Sequence, residues 1–292
     1  MVADLEVAEA LSGAEIVREL GLDPAKPTAV IFAHVLWDAS LFFGVDLFQN
    51  YSEWLVETVR RAASNERMNW IVKAHPSNVF RTKHGDLAGE CSELELLRDE
   101  FAALPAHMSV LRPETHISTP SLYRFADVGI TVRGTPGLEM ACFGKTVLTA
   151  GTGAYSGLGF TVDSSSGDEY LRRLDTLDTV PAPRADAVVK ARRYAHAFFV
   201  DRPWTPTSFG LSFHFPEQGW NPLDRNVRLR VDRARGFVDA ADLAAWRAWV
   251  TRSSAPDFFG RPSPVLRGVE HVGRGDERQG VATVEVVEGE GA

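Results

Sequence analysis

The strongest chemical signal in this sequence is the segment 133–139, RGTPGLE. It lies between a β-forming run at 127–131 and an apolar run at 136–143 with helical character. Thr135 suits the N-cap of that helix, and Pro136 suits its first position. A strand, a glycine-bearing turn and a helix N-terminus also offer backbone N–H groups and a favourable dipole to an anion. The spacing alone favours phosphate binding and plain helix capping about equally.

Charged residues at both ends of this segment fit the phosphate interpretation. Arg133 would add positive charge next to Gly134, and Gly137 lies in the predicted first turn of the helix. Glu139 comes four residues after Thr135, and a capping box needs a spacing of three. Glu139 is therefore available for another task, such as accepting a hydrogen bond from a ribose hydroxyl.

A second signal is the segment 73–76, KAHP, at the end of a strand-like run at 69–74. Lys73 and His75 can both bind phosphate oxygens, and histidine can also act as a general acid or base. A single histidine in a loop is more often structural. Because His75 lies at a strand end, the functional and the structural interpretation are about equally favoured.

Two further segments follow predicted strands. In 34–38 (HVLWD), Asp38 could be a general base or cap a turn, and His34 could face a ligand or bond a carbonyl; the structural alternative is favoured for both. The segment 151–161 (GTGAYSGLGFT) contains Tyr155, Ser156 and Gly157 among four glycines, which permit a close backbone approach to a ligand. A flexible surface loop is the alternative.

The order of the elements predicts the fold. Strand-like runs at 28–33, 69–74, 107–111, 127–131 and 146–150 alternate with helical patterns, which is typical of an α/β fold with a doubly wound parallel sheet. Ligands of such sheets bind beyond the carboxyl ends of the strands, so we expect the segments above to share one edge. We expect a Rossmann-like domain at 1–200, an irregular and helical extension at 201–265 with a helix at 238–250, and a mobile tail at 266–292.

Composition excludes several classes of function. The net charge of −8 argues against nonspecific nucleic-acid binding, and two cysteines without a CxxC pair argue against a zinc site or a disulfide framework. The motifs GxxxxGK[ST], GxGxxG after the first strand, and GxSxG are missing from the sequence. The N-terminal segment lacks the features of a signal peptide, and no apolar run approaches a membrane span, so we expect a cytoplasmic protein.

Four segments resemble, in order, the capsule polysaccharide biosynthesis family, which includes sugar transferases of the Kdo-transferase kind. They are AVIFAHVLWDAS, NWIVKAHPSN, ADVGITVRGTPGLEMACFGKTVLTAGTGAYSGLGFT and ARRYAHAFF, within roughly residues 15–200. The resemblance implies a GT-B-type glycosyltransferase, in which two Rossmann-like domains face each other across a cleft. The C-terminal domain of such an enzyme binds the nucleotide sugar without an essential metal, and no other cofactor is expected.

The resemblance also implies roles for individual residues. Lys73 and His75 would meet the donor phosphate from one side, Thr135 and the amides of 135–138 would hold it from the other, and Glu139 would bond the ribose. Residues 155–161 would line the sugar or nucleotide pocket. The expected donor-binding set is His34, Lys73, His75, Arg133, Gly134, Thr135, Gly137, Glu139, Tyr155, Ser156 and Gly157, and the expected catalytic residues are Asp38 and His75.

The sequence departs from the family in two respects. Many relatives carry serine or threonine where this chain has Arg133-Gly134. The residues before the first strand are also too few for an acceptor domain of GT-B size, so we expect a fragment, a partner that supplies the missing half, or a shortened relative. We therefore expect a donor-binding domain that transfers a sugar from a nucleotide sugar to a glycan or glycolipid in capsular or surface polysaccharide assembly, in the cytoplasm or at the inner face of the membrane. The alternatives are a noncatalytic nucleotide-sugar-binding or partner subunit, and a GT-B-type sugar-nucleotide epimerase.

Overall fold

The computed structural model describes residues 11–36, 45–78, 92–201, 209–213, 227–231 and 241–252. Contacts divide the chain into two units, Met1–Ala195 and His196–Ala292. The segment expected to form a tail, 266–292, lies outside the described residues. The domain boundaries expected at 200 and 265 stay predictions.

In the described part of the first unit, six strands form one parallel sheet. They are β1 (Thr28–Phe32), β2 (Asn69–Lys73), β3 (Met108–Leu111), β4 (Val128–Thr131), β5 (Thr146–Thr149) and β6 (Val162–Asp163). Their order is β3-β2-β1-β4-β5-β6, the order of the Rossmann fold, and every neighbouring pair is parallel. The predicted doubly wound parallel sheet is confirmed. The strand β6 was not predicted, because two residues carry no periodic signal.

Helices connect these strands. They are α1 (Gly13–Leu20), α2 (Tyr51–Ser64), α3 (Ser92–Glu100), α4 (Thr119–Phe125), α5 (Thr135–Cys142), α6 (Gly167–Asp175) and α7 (Ala185–His196), with a 3₁₀ turn at Leu177–Thr179. Local chemistry sets their ends. Ser12 and Glu15 form a capping box at the start of α1, and Gly21 ends it with a φ of 63°. Asn50 and Ser166 cap α2 and α6 through their side chains.

The core of the first unit lies on both faces of the sheet. All five residues of β1 and of β2 are buried, as expected for central parallel strands covered by helices on each side. One buried polar group joins two of the covering helices. Tyr170 of α6 is 0% exposed, and its hydroxyl lies 3.0 Å from Trp54 Nε1 and 2.9 Å from Thr58 Oγ1, both on α2.

The described residues of the second unit form a π-helical turn at Ala197–Asp201, an antiparallel pair of β7 (Phe209–Phe213) and β8 (Val227–Val231), and the helix α8 (Ala241–Arg252). The helix expected at 238–250 is thus present from residue 241. The hairpin strands were not predicted, although β8 carries a signal that could have identified it. Its sequence VRLRV alternates apolar and charged residues, which is the period of a strand.

Replacing Tyr170 by phenylalanine should lower the free energy of unfolding by about 2 kcal/mol, because the buried Trp54 N–H then loses its acceptor. Chemical denaturation measures this change. Tyr194→Phe is the matched control, since it removes a hydroxyl that donates to the Ala154 carbonyl at an exposed position. Equal losses in the two variants would contradict the role of Tyr170 in joining α2 to α6.

Candidate functional site

The candidate site lies at the carboxyl ends of β1 and β4. These two strands are neighbours, with β2 and β3 on one side of them and β5 and β6 on the other. The chain therefore reverses its direction of winding between β1 and β4, and such switch points are where doubly wound sheets leave a crevice for ligands. His34 follows β1 at this point, and the segment 132–134 follows β4.

His34 is turned towards the end of β4. Its Nε2 lies 2.9 Å from Thr131 Oγ1 and accepts hydrogen bonds from the backbone N–H groups of Val132 and Arg133, at 3.2 and 3.5 Å. A nitrogen that accepts two N–H groups carries no proton, so the Thr131 hydroxyl donates to it and the ring proton is on Nδ1. His34 therefore holds the turn after β4 instead of offering Nε2 to a ligand.

The surroundings of His34 keep its ring neutral. The imidazole stacks on Tyr51, with ring centroids 4.4 Å apart, and meets the edge of Trp54 at 5.6 Å. Burial, and after it the nearby charges of His75 and Arg133, lower the pKa of His34 to about 3. His75 and Arg133, which follow β2 and β4, are thus near enough to act on the pKa of His34.

The turn from β4 into α5 is built around Gly134. Its N–H donates to Thr131 Oγ1 at 3.1 Å, and its carbonyl accepts from the Tyr155 hydroxyl at 2.7 Å. Gly134 is the N-cap of α5, so the prediction that Thr135 is the N-cap was wrong; Thr135 is the first helical residue and is exposed. Among the described residues, no side chain caps α5, which leaves the start of the helix to other acceptors.

Tyr155 is buried against the first turn of α5. It is 3% exposed, and burial raises the pKa of its hydroxyl. A Cβ atom at Gly137 would collide with this hydroxyl and would lie 3.0 Å from Thr131 Cγ2. Gly137 is therefore required for the approach of Tyr155, and both residues shape the turn.

The glycine-rich loop that carries Tyr155 is anchored by Asp163 of β6. Its carboxylate accepts from Gly157 N at 2.7 Å, from Thr161 Oγ1 at 2.7 Å and from Thr149 Oγ1 at 2.8 Å. Within the loop, Ser156 Oγ accepts from Gly153 N at 2.7 Å. Ser156 and Gly157 thus maintain the loop conformation, with Gly157 at a φ of 75°. Asp163 was not predicted from the sequence, although a carboxylate directly after a loop of glycines and threonines was a signal that could have identified it.

Arg133 is turned away from solvent and forms an ion pair with Asp46. The side chains of Arg133 and Asp46 are 7% and 23% exposed. Asp46 forms an isolated bridge with Gly151, and a Cβ atom at Gly153 would lie 2.8 Å from Arg133 Cβ. The guanidinium therefore joins the segment before α2 to the turn after β4, close to the start of the glycine-rich loop.

Glu139 lies one turn into α5 and is half-buried. Burial raises the pKa of its carboxyl group, and a hydrogen bond with the Tyr123 side chain partly opposes that effect. Tyr123 of α4 is itself buried, with its ring 5.7 Å from Phe32 and 6.1 Å from Phe143. Tyr123 was not predicted from the sequence, since its contact with Glu139 depends on how α4 and α5 pack.

The end of β2 supplies Lys73 and His75. Lys73 is buried, and its ammonium donates to the carbonyls of Ala74 and Arg112, at 3.2 and 3.5 Å. His75 Nδ1 accepts from the backbone N–H of Ser77 at 3.2 Å. His75 acts on the pKa of His34, whereas the ammonium of Lys73 is turned towards the end of β3.

Three further expectations from the sequence concern a catalytic base, a metal site and a membrane span. Asp38, the expected local base, falls outside the described residues. Among the residues that the structure describes, no group of three His, Cys, Asp or Glu side chains could hold a metal ion. In the same part of the chain, none of the helices combines the length and the apolar character that crossing a membrane requires.

No protein-family model and no curated protein matches this chain. Partial similarity to solved structures includes the beta-Kdo 2,4-transferase of KpsC from Thermosulfurimonas dismutans, 18% identical, over 61% of this chain and 52% of that one, with a TM-score of 0.34. Sucrose-phosphate synthase from Thermosynechococcus elongatus is 12% identical over 64% of this chain and 44% of that one, with a TM-score of 0.39. MnaA from S. aureus, in a co-structure with UDP, is 13% identical over 63% of this chain and 47% of that one, with a TM-score of 0.36. This chain thus spans about half the length of these proteins.

Replacing His34 by glutamine should flatten the dependence of stability on acid pH. With a folded-state pKa of about 3, against 6.5 when unfolded, the neutral ring favours the folded state above pH 6.5, and this contribution is lost as pH falls towards 3. The unfolded wild type binds up to one more proton in that window, which corresponds to a slope of about 1.4 kcal/mol per pH unit. Denaturant titrations from pH 4 to 8 compare the slopes, and parallel curves would contradict a buried neutral His34.

Replacing Asp46 by asparagine should lower the free energy of unfolding by about 3 kcal/mol, because the buried guanidinium of Arg133 loses its counter-charge. Asp186→Asn is the matched control, since it breaks the exposed ion pair with Arg184, whose partners are 88% and 58% exposed. Denaturant titration should find the control unchanged. A loss no larger than that of the control would contradict the role of the Arg133–Asp46 pair.

Proposed function

We propose that this chain is the donor-binding half of a GT-B-type glycosyltransferase that uses a nucleotide sugar in capsular or surface polysaccharide assembly. The observation that carries the proposal is the start of α5 at the switch point of the sheet. This helix begins without a side-chain cap among the described residues, and a half-buried carboxylate, Glu139, follows one turn later. Together they suit a nucleotide.

In this proposal the phosphate of the nucleotide binds at Thr135. Pro136 has no N–H group, and the N–H of Gly137 donates to the Gly134 carbonyl at 3.0 Å. Thr135 therefore supplies the directed donors, its backbone N–H and its hydroxyl, at the positive end of the helix dipole. This narrows the earlier expectation that the amides of 135–138 bind the phosphate together.

In this proposal the ribose of the nucleotide binds at Glu139. Residues four apart lie on the same face of a helix, and their separation along the axis is about 6 Å. That separation is comparable with the distance between the 5′-phosphate and the 2′- and 3′-hydroxyls of a nucleotide. A carboxylate held by Tyr123 can accept hydrogen bonds from both hydroxyls, and its raised pKa marks a charge that burial has made costly.

The transfer itself needs a leaving phosphate whose charge is stabilised. An acceptor hydroxyl attacks the anomeric carbon, the bond from that carbon to the nucleotide phosphate oxygen breaks, and the electron pair leaves on the phosphate. The N-terminus of α5 stabilises the developing charge. His75, close to His34 and Arg133, is the candidate for a second contact with the phosphate, and Asp38 remains the candidate base. The acceptor half is supplied by a further domain or a partner protein.

Calorimetric titration with CMP, UDP, GDP and their sugar forms tests the proposal. We expect one nucleotide class to bind, and Glu139→Gln to weaken that binding about tenfold, because an amide is a poorer acceptor for two hydroxyls than a carboxylate. Glu66→Gln is the control and should bind as the wild type does. Glu66 is exposed and lies just before β2, at the amino end of this strand, whereas the site lies at the carboxyl ends.

Absence of binding across the panel, or full binding by Glu139→Gln, would contradict the proposed donor site. Release of free nucleotide when a glycolipid acceptor and an acceptor-domain partner are added would distinguish transfer from simple binding. Interconversion of nucleotide sugars without an acceptor would indicate an epimerase instead.

A further inference from the structure

The peptide unit between Gly134 and Thr135 is held by a side chain from another part of the chain. The Gly134 carbonyl accepts from the Tyr155 hydroxyl at 2.7 Å, across 21 positions of sequence. A peptide unit is planar, and its C=O and N–H groups point in opposite directions. The Tyr155 bond acts on the Gly134 carbonyl together with the bond from the Gly137 N–H at 3.0 Å, and by fixing the direction of this carbonyl it also fixes the direction of the Thr135 N–H.

We propose that Tyr155 is a positioning residue that aims the Thr135 N–H at the phosphate of a nucleotide without contacting the nucleotide itself. This inference rests on the proposed function, because it assigns the aimed donor to the phosphate of that same site. It replaces the expectation from the sequence that Tyr155 lines the donor pocket.

Three features of the structure support this role. Glycine has no side chain that could restrict its own backbone, so Gly134 depends on its neighbours, and its N–H is also held, by Thr131 Oγ1 at 3.1 Å. Gly137 leaves space for the Tyr155 hydroxyl that an added Cβ atom would occupy. Burial raises the pKa of Tyr155, so the hydroxyl keeps the proton that it donates.

Aromatic contacts hold the ring of Tyr155. It stacks on Phe160, with centroids 6.0 Å apart and an angle of 29° between the rings, and Phe160 in turn contacts Tyr194 at 6.0 Å. Tyr194 donates its own hydroxyl to the Ala154 carbonyl at 2.6 Å. The hydroxyl of Tyr194 thus bonds to the same loop but not to α5, so Tyr194 provides a matched control.

Tyr155→Phe and Tyr194→Phe are compared by calorimetric titration with the nucleotide that the wild type binds from the CMP, UDP and GDP panel, and with its nucleoside. Tyr155→Phe should weaken nucleotide binding about fivefold to tenfold, the worth of one hydrogen bond, and leave nucleoside binding unchanged. Tyr194→Phe should leave both unchanged. The ratio of the two affinities is the readout, since general loosening of the loop would weaken both ligands alike.

Gly137→Ala gives a second, independent variant, because its Cβ atom displaces the Tyr155 hydroxyl. It should produce the same selective loss, and the double variant with Tyr155→Phe should lose less than the sum of the two, since both changes remove one contact. Wild-type nucleotide affinity in Tyr155→Phe, or equal loss for nucleotide and nucleoside, would overturn the role of Tyr155 while leaving the donor site in place. Absence of nucleotide binding by the wild type would overturn the proposed function itself.

Discussion

The hydrogen-bonded turn between β4 and α5 is the constraint on which the candidate site depends. His34 accepts the backbone N–H groups of Val132 and Arg133 and the hydroxyl of Thr131, which in turn accepts the N–H of Gly134. The Thr131 hydroxyl thus uses its proton for His34 and its oxygen for Gly134. The result is a helix start whose backbone is ordered by Thr131 of β4, by His34 after β1 and by Tyr155 after β5, so its N–H donors point in fixed directions.

Burial of charged and titratable groups around this turn has a cost in stability. Arg133 and Asp46 are removed from water together, His34 is kept neutral well below its usual pKa, and Glu139 is held where its charged form is disfavoured. Groups of this kind concentrate at functional sites, because a ligand can compensate for what the protein leaves unfavourable. Ion-pair networks with a purely structural role share part of this signature. The variants of Asp46 and Glu139 therefore address stability and binding separately.

The glycine-rich loop links packing to the site. Asp163 ties the loop to β5 and β6, Tyr194 ties it to α7, and Tyr155 extends from it to the start of α5. A loop with this many glycines has a large conformational entropy when free, and the bonds to Asp163 oppose it. The conformation of the loop and the direction of the Thr135 N–H are therefore coupled through a single tyrosine.

The sequence by itself determined the class of the fold and the segments of the site. Apolar runs at 28–33, 69–74 and 127–131 predicted buried parallel strands, because their continuous hydrophobicity is needed on both faces of the sheet, and the loops after them contained His34, His75 and Gly134. Strand order followed from no local pattern, so the meeting of β1 and β4, which places His34 against Thr131, was decided by the tertiary structure. The direction of each side chain was decided there too. Arg133 is paired with Asp46, Tyr155 faces the backbone of Gly134, and Tyr123 meets Glu139, because these contacts join residues that are far apart along the chain or lie on separately packed helices.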